Sequence, residues 1–267
     1  MSAAIGFLLG RAPGEGSILP GVIRRLEAAG ATVLAELAAG GAVSRRLLAM
    51  DVVVLRALDR DALDAAGALE EAGVRCCNSV AATQLARDKT AATRVLAEAG
   101  LPVPRECLLP SWPAVRAVAR GRPVAIKSPA GSRGRGVLVP TDLLPEEPPF
   151  PGPYIVQDWL GGDGLDRKLY VVGSRVGGVL RRWPPRGLRD KLGERFEPAP
   201  RLRELALAAG EALGLELFGV DVVLGPNGAA IVDVNAFPGY KGVPAAERWV
   251  ADHLAAASIR EERPCAS

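Results

Sequence analysis

The sequence predicts a mixed fold: a small N-terminal parallel α/β unit followed by α+β units built on antiparallel hairpins. Three observations carry that expectation. The first eighty residues alternate strand-like and helix-like runs. "PVAIK" and "VLV" flank a loop, "SPAGSRGRG", rich in glycine and arginine. "FGVDVVL" and "AAIVDV" flank the turn "GPNG", and each of these apolar strands carries an acid, Asp221 or Asp233.

The N-terminal elements follow in order. "AIGFLL" is a strand and "GRAPGEGS" a loop. "LPGVIRRLEAAG" has helical spacing and stops at Gly30. "ATVLAEL" and "MDVVVLRAL" are strand-like, and "LDAAGALEEAG" is helical. Such alternation gives a parallel sheet covered on both faces. The glycine spacing of "GRAPGEG" is wrong for a dinucleotide fingerprint, which leaves a plain turn or a loop that touches substrate. Asn78 or Ser79 is placed to cap a helix, and Thr83 to Ala99 reads as one long helix ending at Gly100. Lys89 lies in that helix and, on spacing alone, is a solvated charge.

Lys127 ends the strand "PVAIK", where it offers a point charge beside the glycine-rich loop. A loop of this kind between antiparallel strands can fold its N–H groups over phosphates. It is not a P-loop, because Gly-Lys-Ser/Thr is absent and the chain exits into a strand. A Pro-rich connector, 143–153, leads to "YIVQDWL". "RKLYVVG" and "RVGGVLRR" form a hairpin around Gly173-Ser174 that ends in Arg181-Arg182. The helix "RLRELALAAGEALGL" then leads into the acidic hairpin. With Pro226, Asn227 and Gly228 as a three-residue loop, Gly225 pairs with Ala229. That register sets Asp221 opposite Asp233, with Asn235 on the same face. Opposed carboxylates repel. Either a cation such as Mg²⁺ sits between them, or the acids are incidental at a solvated hairpin end.

Composition narrows the class. The chain has 267 residues, 49% hydrophobic and 24% charged, with a net charge of +3. Acids and bases are mixed, so no nucleic-acid footprint is expected. Cys76, Cys77, Cys107 and Cys265 lack metal-site spacing, and a reduced, cytoplasmic setting is the expectation. No targeting segment or membrane span is read from the sequence. The sole histidine, His253, argues against His-based triads and reads as a surface helix residue.

The order Lys89, Lys127 with its glycine-rich hairpin, "VQDWL", and Asp221/Asp233/Asn235 resembles the ATP-grasp superfamily. The match is most similar to RimK-like carboxylate-amine ligases, from about Asn78 to Val250, through "IKSPAGSRGRGV" and "LDRKLYVVGSRVGGVLRR". The resemblance implies an ATP-grasp fold behind a small N-terminal parallel α/β domain. It divides the chain into 1–77, 78–153 with the glycine-rich loop, 154–258 with the metal site, and a tail, 259–267. It implies that Lys89 and Lys127 bind ATP phosphates and that Ser132, Arg133, Gly134 and Gly136 close over them. Gln157, Trp159 and Leu160 would form the adenine hinge. Asp166, with Asp163 as the alternative, would hold the ribose. Arg182 would meet the γ-phosphate as a catalytic residue beside Lys127. Asp221, Asp233 and Asn235 would ligate Mg²⁺ or Mn²⁺. The implied partners are ATP and small-molecule carboxylate and amine substrates, without nucleic acid or membrane, and a homo-oligomer fits the superfamily.

Two positions depart from that family. Asp233 stands where its members carry Glu, and Lys191 where they carry Asn. "ELFGVDVV", "IVDVNAFPGYKGV" and "VLRRWPP" are also similar to the inositol trisphosphate 5/6-kinase branch, whose acceptor is a hydroxyl. The ligase-type glycine loop and the dispersed arginines favour the ligase over the kinase. A degenerate nucleotide-binding protein is the third reading, and the intact lysines and acids argue against it.

Overall fold

The computed structural model describes residues 2–38, 42–129, 137–139, 144–183, 190 and 192–259. Three sheets order the chain. The first is parallel and runs β2-β1-β3-β4, with β1 (Ala4–Leu9), β2 (Thr32–Leu37), β3 (Val52–Arg56) and β4 (Arg75–Cys77). Helices α1 (Leu19–Ala28) and α2 (Arg60–Glu71) supply the crossovers. Asp59 caps α2 by accepting the Ala62 N–H at 2.8 Å.

The helix expected over Thr83 to Ala99 is two helices, α3 (Val80–Arg87) and α4 (Lys89–Glu98). Asp88 breaks it: its backbone is extended and its side chain accepts the Ala91 N–H, capping a new start. Lys89 is therefore the first residue of α4 rather than a mid-helix charge.

The middle sheet is antiparallel, in the order β5 (Glu106–Leu109), β8 (Tyr154–Asp158), β6 (Val124–Lys127), β7 (Val137–Leu138). Lys127 pairs with Val137, so β6 and β7 bracket the glycine-rich loop as expected. The helix α5 (Trp112–Val118) covers this sheet through Trp112 and Val115, packed with Tyr154 and Val156.

The third sheet runs β11 (Glu194–Phe196), β10 (Arg175–Arg182), β9 (Leu165–Val172), β12 (Leu217–Gly225), β13 (Gly228–Ala236). It has a core on each face. Leu169, Val171, Phe218 and Val220 pack against α3, α4 and α6 (Pro200–Leu213). Tyr170, Val172, Val179 and Leu217 pack against β1, β3, α1 and α7 (Ala246–Ala257). The N-terminal sheet is thus buried against the face of β9 that carries Tyr170. Strand alternation puts Lys168 and Asp166 on that same face, beyond the apolar part.

The acidic hairpin reaches its register by another route than the expected one. Gly225 pairs with Gly228, not Ala229, so the turn is one residue shorter. That register alone would put Val232 opposite Asp221. A β-bulge between Asp221 and Val222 on one strand, with Val232 unpaired on the other, restores Asp221 opposite Asp233.

Candidate active site

Each acid has a basic neighbour that the sheet supplies. Lys168 on β9 pairs in register with Asp221 on β12, which pairs with Asp233 on β13. Lys168 Nζ lies 2.6 Å from Asp221 Oδ1 and its side chain is almost fully buried. The contact is an ion pair whose angles fall short of a hydrogen bond, since Asp221 Oδ1 is buried without a hydrogen-bond partner. Lys89 Nζ, reaching over the sheet edge from α4, donates to Asp233 Oδ1 at 3.1 Å. Asn235 Nδ2 donates to Asp233 Oδ2 at 3.0 Å. Burial pushes the Asp233 carboxyl upward, but Lys89, Lys168 and Lys127 outweigh it and hold the group below the usual carboxylate range. Burial also opposes the Lys168 charge, yet Asp221 and the nearby acids hold it above the ordinary lysine value.

The bulge has a chemical use. Lys127 Nζ donates to the Val232 carbonyl at 3.0 Å and to Gln157 Oε1 at 2.6 Å. Gln157 Nε2 in turn donates to Glu106 Oε2 at 2.9 Å. Lys89, Thr93, Glu106, Lys127, Gln157 and Asp233 line one small cavity between α4, the middle sheet and β13. Burial lowers the Lys127 ammonium and raises the Glu106 carboxyl, disfavouring the charged form of each.

A second buried acid adjoins this cluster. Asp166 Oδ1 accepts no hydrogen bond, and burial together with Asp221 pushes its carboxyl up to about 7. Asp166 pairs in register with Arg181 on β10. Arg181 Nη2 donates to the Tyr170 hydroxyl, while its Nε is buried without a partner. Arg181, Asp166, Lys168, Asp221 and Asp233 therefore share one face. Arg182, expected to meet the γ-phosphate, is exposed, pairs with Leu165 and lies on the opposite face. The strand offers Arg181 in its place. Lys168 and Arg181 went unassigned in the sequence, although Asp-x-Lys-x-Tyr on a strand already puts three polar groups on one side.

The remaining expected residues are dispersed. Trp159 is 36% exposed, and its backbone N–H is taken by the Pro123 carbonyl at 3.0 Å. The Leu160 carbonyl faces Gly225, where an added Cβ would lie 2.7 Å from it. Asp163 is bound by Arg167 at the surface. Ser132, Arg133, Gly134, Gly136 and Lys191 lie outside the described residues.

The residues present fit a hard divalent cation. Asp221, Asp233 and Asn235 offer only oxygen ligands from the carboxylates and the amide carbonyl, and buried oxygens of Asp166 and Asp221 lack hydrogen bonds. Lys168 is paired with Asp221 and Lys89 with Asp233. Among the described residues, Cys77, Glu216 and His253 form a different cluster, with one atom of each within 4.8 Å of the others. There Glu216 is held by Arg75 at 2.8 Å and 3.1 Å and by His253 Nε2 at 3.0 Å. His253, expected at the surface, is thus a half-buried tie from α7 to β12, while Glu216 also ties in β4 through Arg75.

The chain is similar to several known proteins. Residues 188–256 match the inositol 1,3,4-trisphosphate 5/6-kinase ATP-grasp domain. The chain is 30% identical over 193 residues to the probable alpha-L-glutamate ligase 2 of Hahella chejuensis, covering 66% of this chain and 64% of that protein. It is 26% identical over 193 residues to the probable alpha-L-glutamate ligase of Trichodesmium erythraeum, with the same coverage. The chain thus spans less than two thirds of the length of these curated relatives. Among solved structures it is similar to the RimK domain ATP-grasp protein of Sphaerobacter thermophilus, with a TM-score of 0.71, 20% identity, and coverage of 97% and 100% of the two chains. It is also similar to the ATP-grasp ligase PsnB complexed with precursor peptide PsnA2 and AMPPNP, with a TM-score of 0.69, 20% identity, and coverage of 97% and 98%. With its two lysines and opposed acids at the meeting of two antiparallel sheets, the chain has the ATP-grasp fold of these solved structures, and its sequence is similar to the probable alpha-L-glutamate ligases.

Proposed function

We propose that the chain is an ATP-dependent carboxylate-amine ligase that works through an acyl phosphate with Mg²⁺, joining an amino acid or small peptide to an amine. One observation carries the reading. Lys89 from α4 and Lys127 from β6 converge on Asp233 and the bulge at Val232, making a cationic wall opposite an acidic one. That is what a triphosphate with its counter-cation requires. The ligase names of the curated relatives support the reaction class.

The residues divide the work. Lys89 and Lys127 exchange Asp233, Gln157 and the Val232 carbonyl for phosphate oxygens and position the γ-phosphoryl group. Asp221, Asp233 and Asn235 would hold Mg²⁺, which supplies charge neutralisation between phosphate oxygens. Arg181, beside Tyr170, is placed to meet the negative charge on the substrate carboxylate or the transferring group. A substrate carboxylate attacks the γ-phosphorus and ADP leaves. The acyl phosphate is then attacked by an amine; inorganic phosphate leaves and the amine loses a proton. No protein nucleophile is needed. Gln157, Trp159 and Leu160 as the adenine hinge, Asp166 at the ribose, and closure by Ser132 to Gly136 complete the proposal.

The match over residues 188–256 favours a second reading, a small-molecule kinase whose acceptor is a hydroxyl. Product mass spectrometry with Mg²⁺-ATP separates the two. The chain is offered amino acids and peptides, or phosphorylated polyols, with hydroxylamine present in part of each. A joined pair lighter by one water, or a trapped hydroxamate, supports the ligase. A polyol gaining one phosphoryl group without hydroxamate sinks it.

A further inference from the structure

Where the parallel sheet meets the third sheet, three side chains of different chemistry turn toward one point. Cys77 ends β4, Glu216 directly precedes β12, and His253 lies on α7. One ligand atom of each lies within 4.8 Å of the others. None of the three enters the transfer proposed above.

A plain ion network does not require all of them. Arg75 and His253 already satisfy the Glu216 carboxylate, at 2.8 Å and 3.0 Å. Cys77 is extra. It is 0% exposed and belongs to the apolar core, yet its thiol lies beside that carboxylate and imidazole.

The surrounding backbone fixes this placement. Asn78, next to Cys77, is buried and spends its amide on the chain around Glu216. Its Oδ1 accepts the Glu216 N–H at 2.7 Å and the Leu217 N–H at 2.8 Å, and its Nδ2 donates to the Leu217 carbonyl at 2.8 Å. The Glu216 carbonyl accepts the Gly173 N–H at 2.9 Å. Cys77 and Glu216 are thereby held side by side across two sheets. His253 fits over Gly173, where an added Cβ would lie 3.0 Å from Nδ1 and press on the ring. Its Nε2 is the nitrogen that faces Glu216.

The donors suit one class of ion. Thiolate, imidazole and carboxylate together favour Zn²⁺, whereas Mg²⁺ and Ca²⁺ take oxygen. Zinc bonds of about 2.0–2.3 Å put the ligand atoms of a tetrahedral site roughly 3.3–3.6 Å apart. Nε2 and the Glu216 carboxylate, at 3.0 Å, stand near that spacing, and the thiol needs a shift on the order of an ångström at most.

We propose that Cys77, Glu216 and His253 bind Zn²⁺, with water in the fourth position. On binding, the thiol gives up its proton to solvent, and His253 ligates through Nε2 with its proton on Nδ1. Arg75, half exposed, keeps one carboxylate oxygen and orients the other toward the metal. The ion ties β4 to β12 and α7 and so fastens the N-terminal sheet to the third sheet.

The test uses the full chain, its thiols reduced by a phosphine, with millimolar Mg²⁺ present to occupy the oxygen ligands of Asp221, Asp233 and Asn235. Co²⁺ serves as the visible probe. The parent should take up one Co²⁺ per chain with the near-ultraviolet band of a cobalt thiolate. Equimolar Zn²⁺ should erase that band and raise the thermal midpoint. Cys77→Ser should lose the band. Its Zn²⁺ affinity, read by competition with a chromophoric chelator, should fall by more than the roughly 10- to 100-fold that loss of an outer-shell partner costs. His253→Gln should weaken Zn²⁺ as much, and its position at the margin of the core lets it carry the test if Cys77→Ser does not fold. The double variant Cys107→Ser/Cys265→Ser should keep the band. The site is overturned if the parent shows no thiolate band, if the folded Cys77→Ser or His253→Gln variant binds Zn²⁺ as the parent does, or if the band vanishes with Cys107 and Cys265. None of these readouts depends on nucleotide.

Discussion

Replacing Lys168 with Met keeps the side chain's length and removes its charge. The ammonium sits 2.6 Å from Asp221 Oδ1 and is 6% exposed, with Asp221 20% exposed. Breaking a buried pair by removing one partner costs about 3–5 kcal/mol, and water reaching Asp221 sets the lower end, about 3 kcal/mol. At this chain length that is a drop in midpoint of roughly 6–12 °C. The loss should depend on metal. With Lys168 gone, Asp221 and Asp233 face each other with Lys89 as the nearest remaining cation, and a divalent ion should bind more tightly than in the parent. A tenfold gain in Mg²⁺ affinity returns about 1.4 kcal/mol more to the variant than to the parent. Thermal and urea unfolding at pH 7, with and without Mg²⁺, read both quantities. Equal Mg²⁺ responses in the two proteins would refute the cation site between the acids. A variant that melts higher without metal would refute the stabilising role of the pair.

Lys127→Ala removes the donor to Gln157 and Val232 and should weaken binding of Mg²⁺-AMPPNP by about 10- to 100-fold, from the 1.5–3 kcal/mol of a charged hydrogen bond. Unchanged affinity in calorimetry would remove Lys127 from the phosphate site. Asp233→Asn should abolish most Mg²⁺-dependent ATP turnover while the circular dichroism stays native; undiminished turnover breaks the metal assignment. Hydrogen bonding by His253, then Arg75, holds the Glu216 carboxyl at about 2, against 4.5 for a free glutamate. Its stabilisation is therefore complete above pH 4.5 and is lost as pH falls through about 2; after solvent screening it amounts to on the order of 1–2 kcal/mol. Glu216→Gln should be less stable than the parent by that amount at neutral pH and converge with it near pH 2, and a gap independent of pH would contradict the assignment. Burial pushes the Cys76 thiol up to about 12 and the Cys77 thiol higher still, whereas Cys107 is exposed. Maleimide mass labelling of the native chain should modify Cys107 promptly and the buried pair only on unfolding.

Much of the fold was legible because periodicity and glycine punctuation mark it. The alternation before Asn78, the Lys127 hairpin and the two strands around "GPNG" all appear where the spacing put them. The misses have local causes. Asp88 is a neutral letter in a helical run until its side chain turns back to the Ala91 N–H. The choice between Arg181 and Arg182 depends on register, because one residue of slip reverses every side chain on a strand. Lys168 drew no attention because its partner, Asp221, lies on a strand more than fifty residues away.

The bulge at Val232 separates two jobs that a regular hairpin would tie together. In an unbroken ladder, adding or removing one residue at the Pro226–Asn227 tip would turn Asp233 to the other face. Here the local irregularity sits between the tip and the acids, and the Val232 carbonyl is anchored from outside by Lys127 while the Ile231 N–H is held by the Pro102 carbonyl at 2.8 Å. The bulge thus separates the aim of the carboxylates from the length of the tip, whose Gly225 is packed against the Leu160 carbonyl. A change of length at Pro226–Asn227 would disturb that contact before it reached the acids.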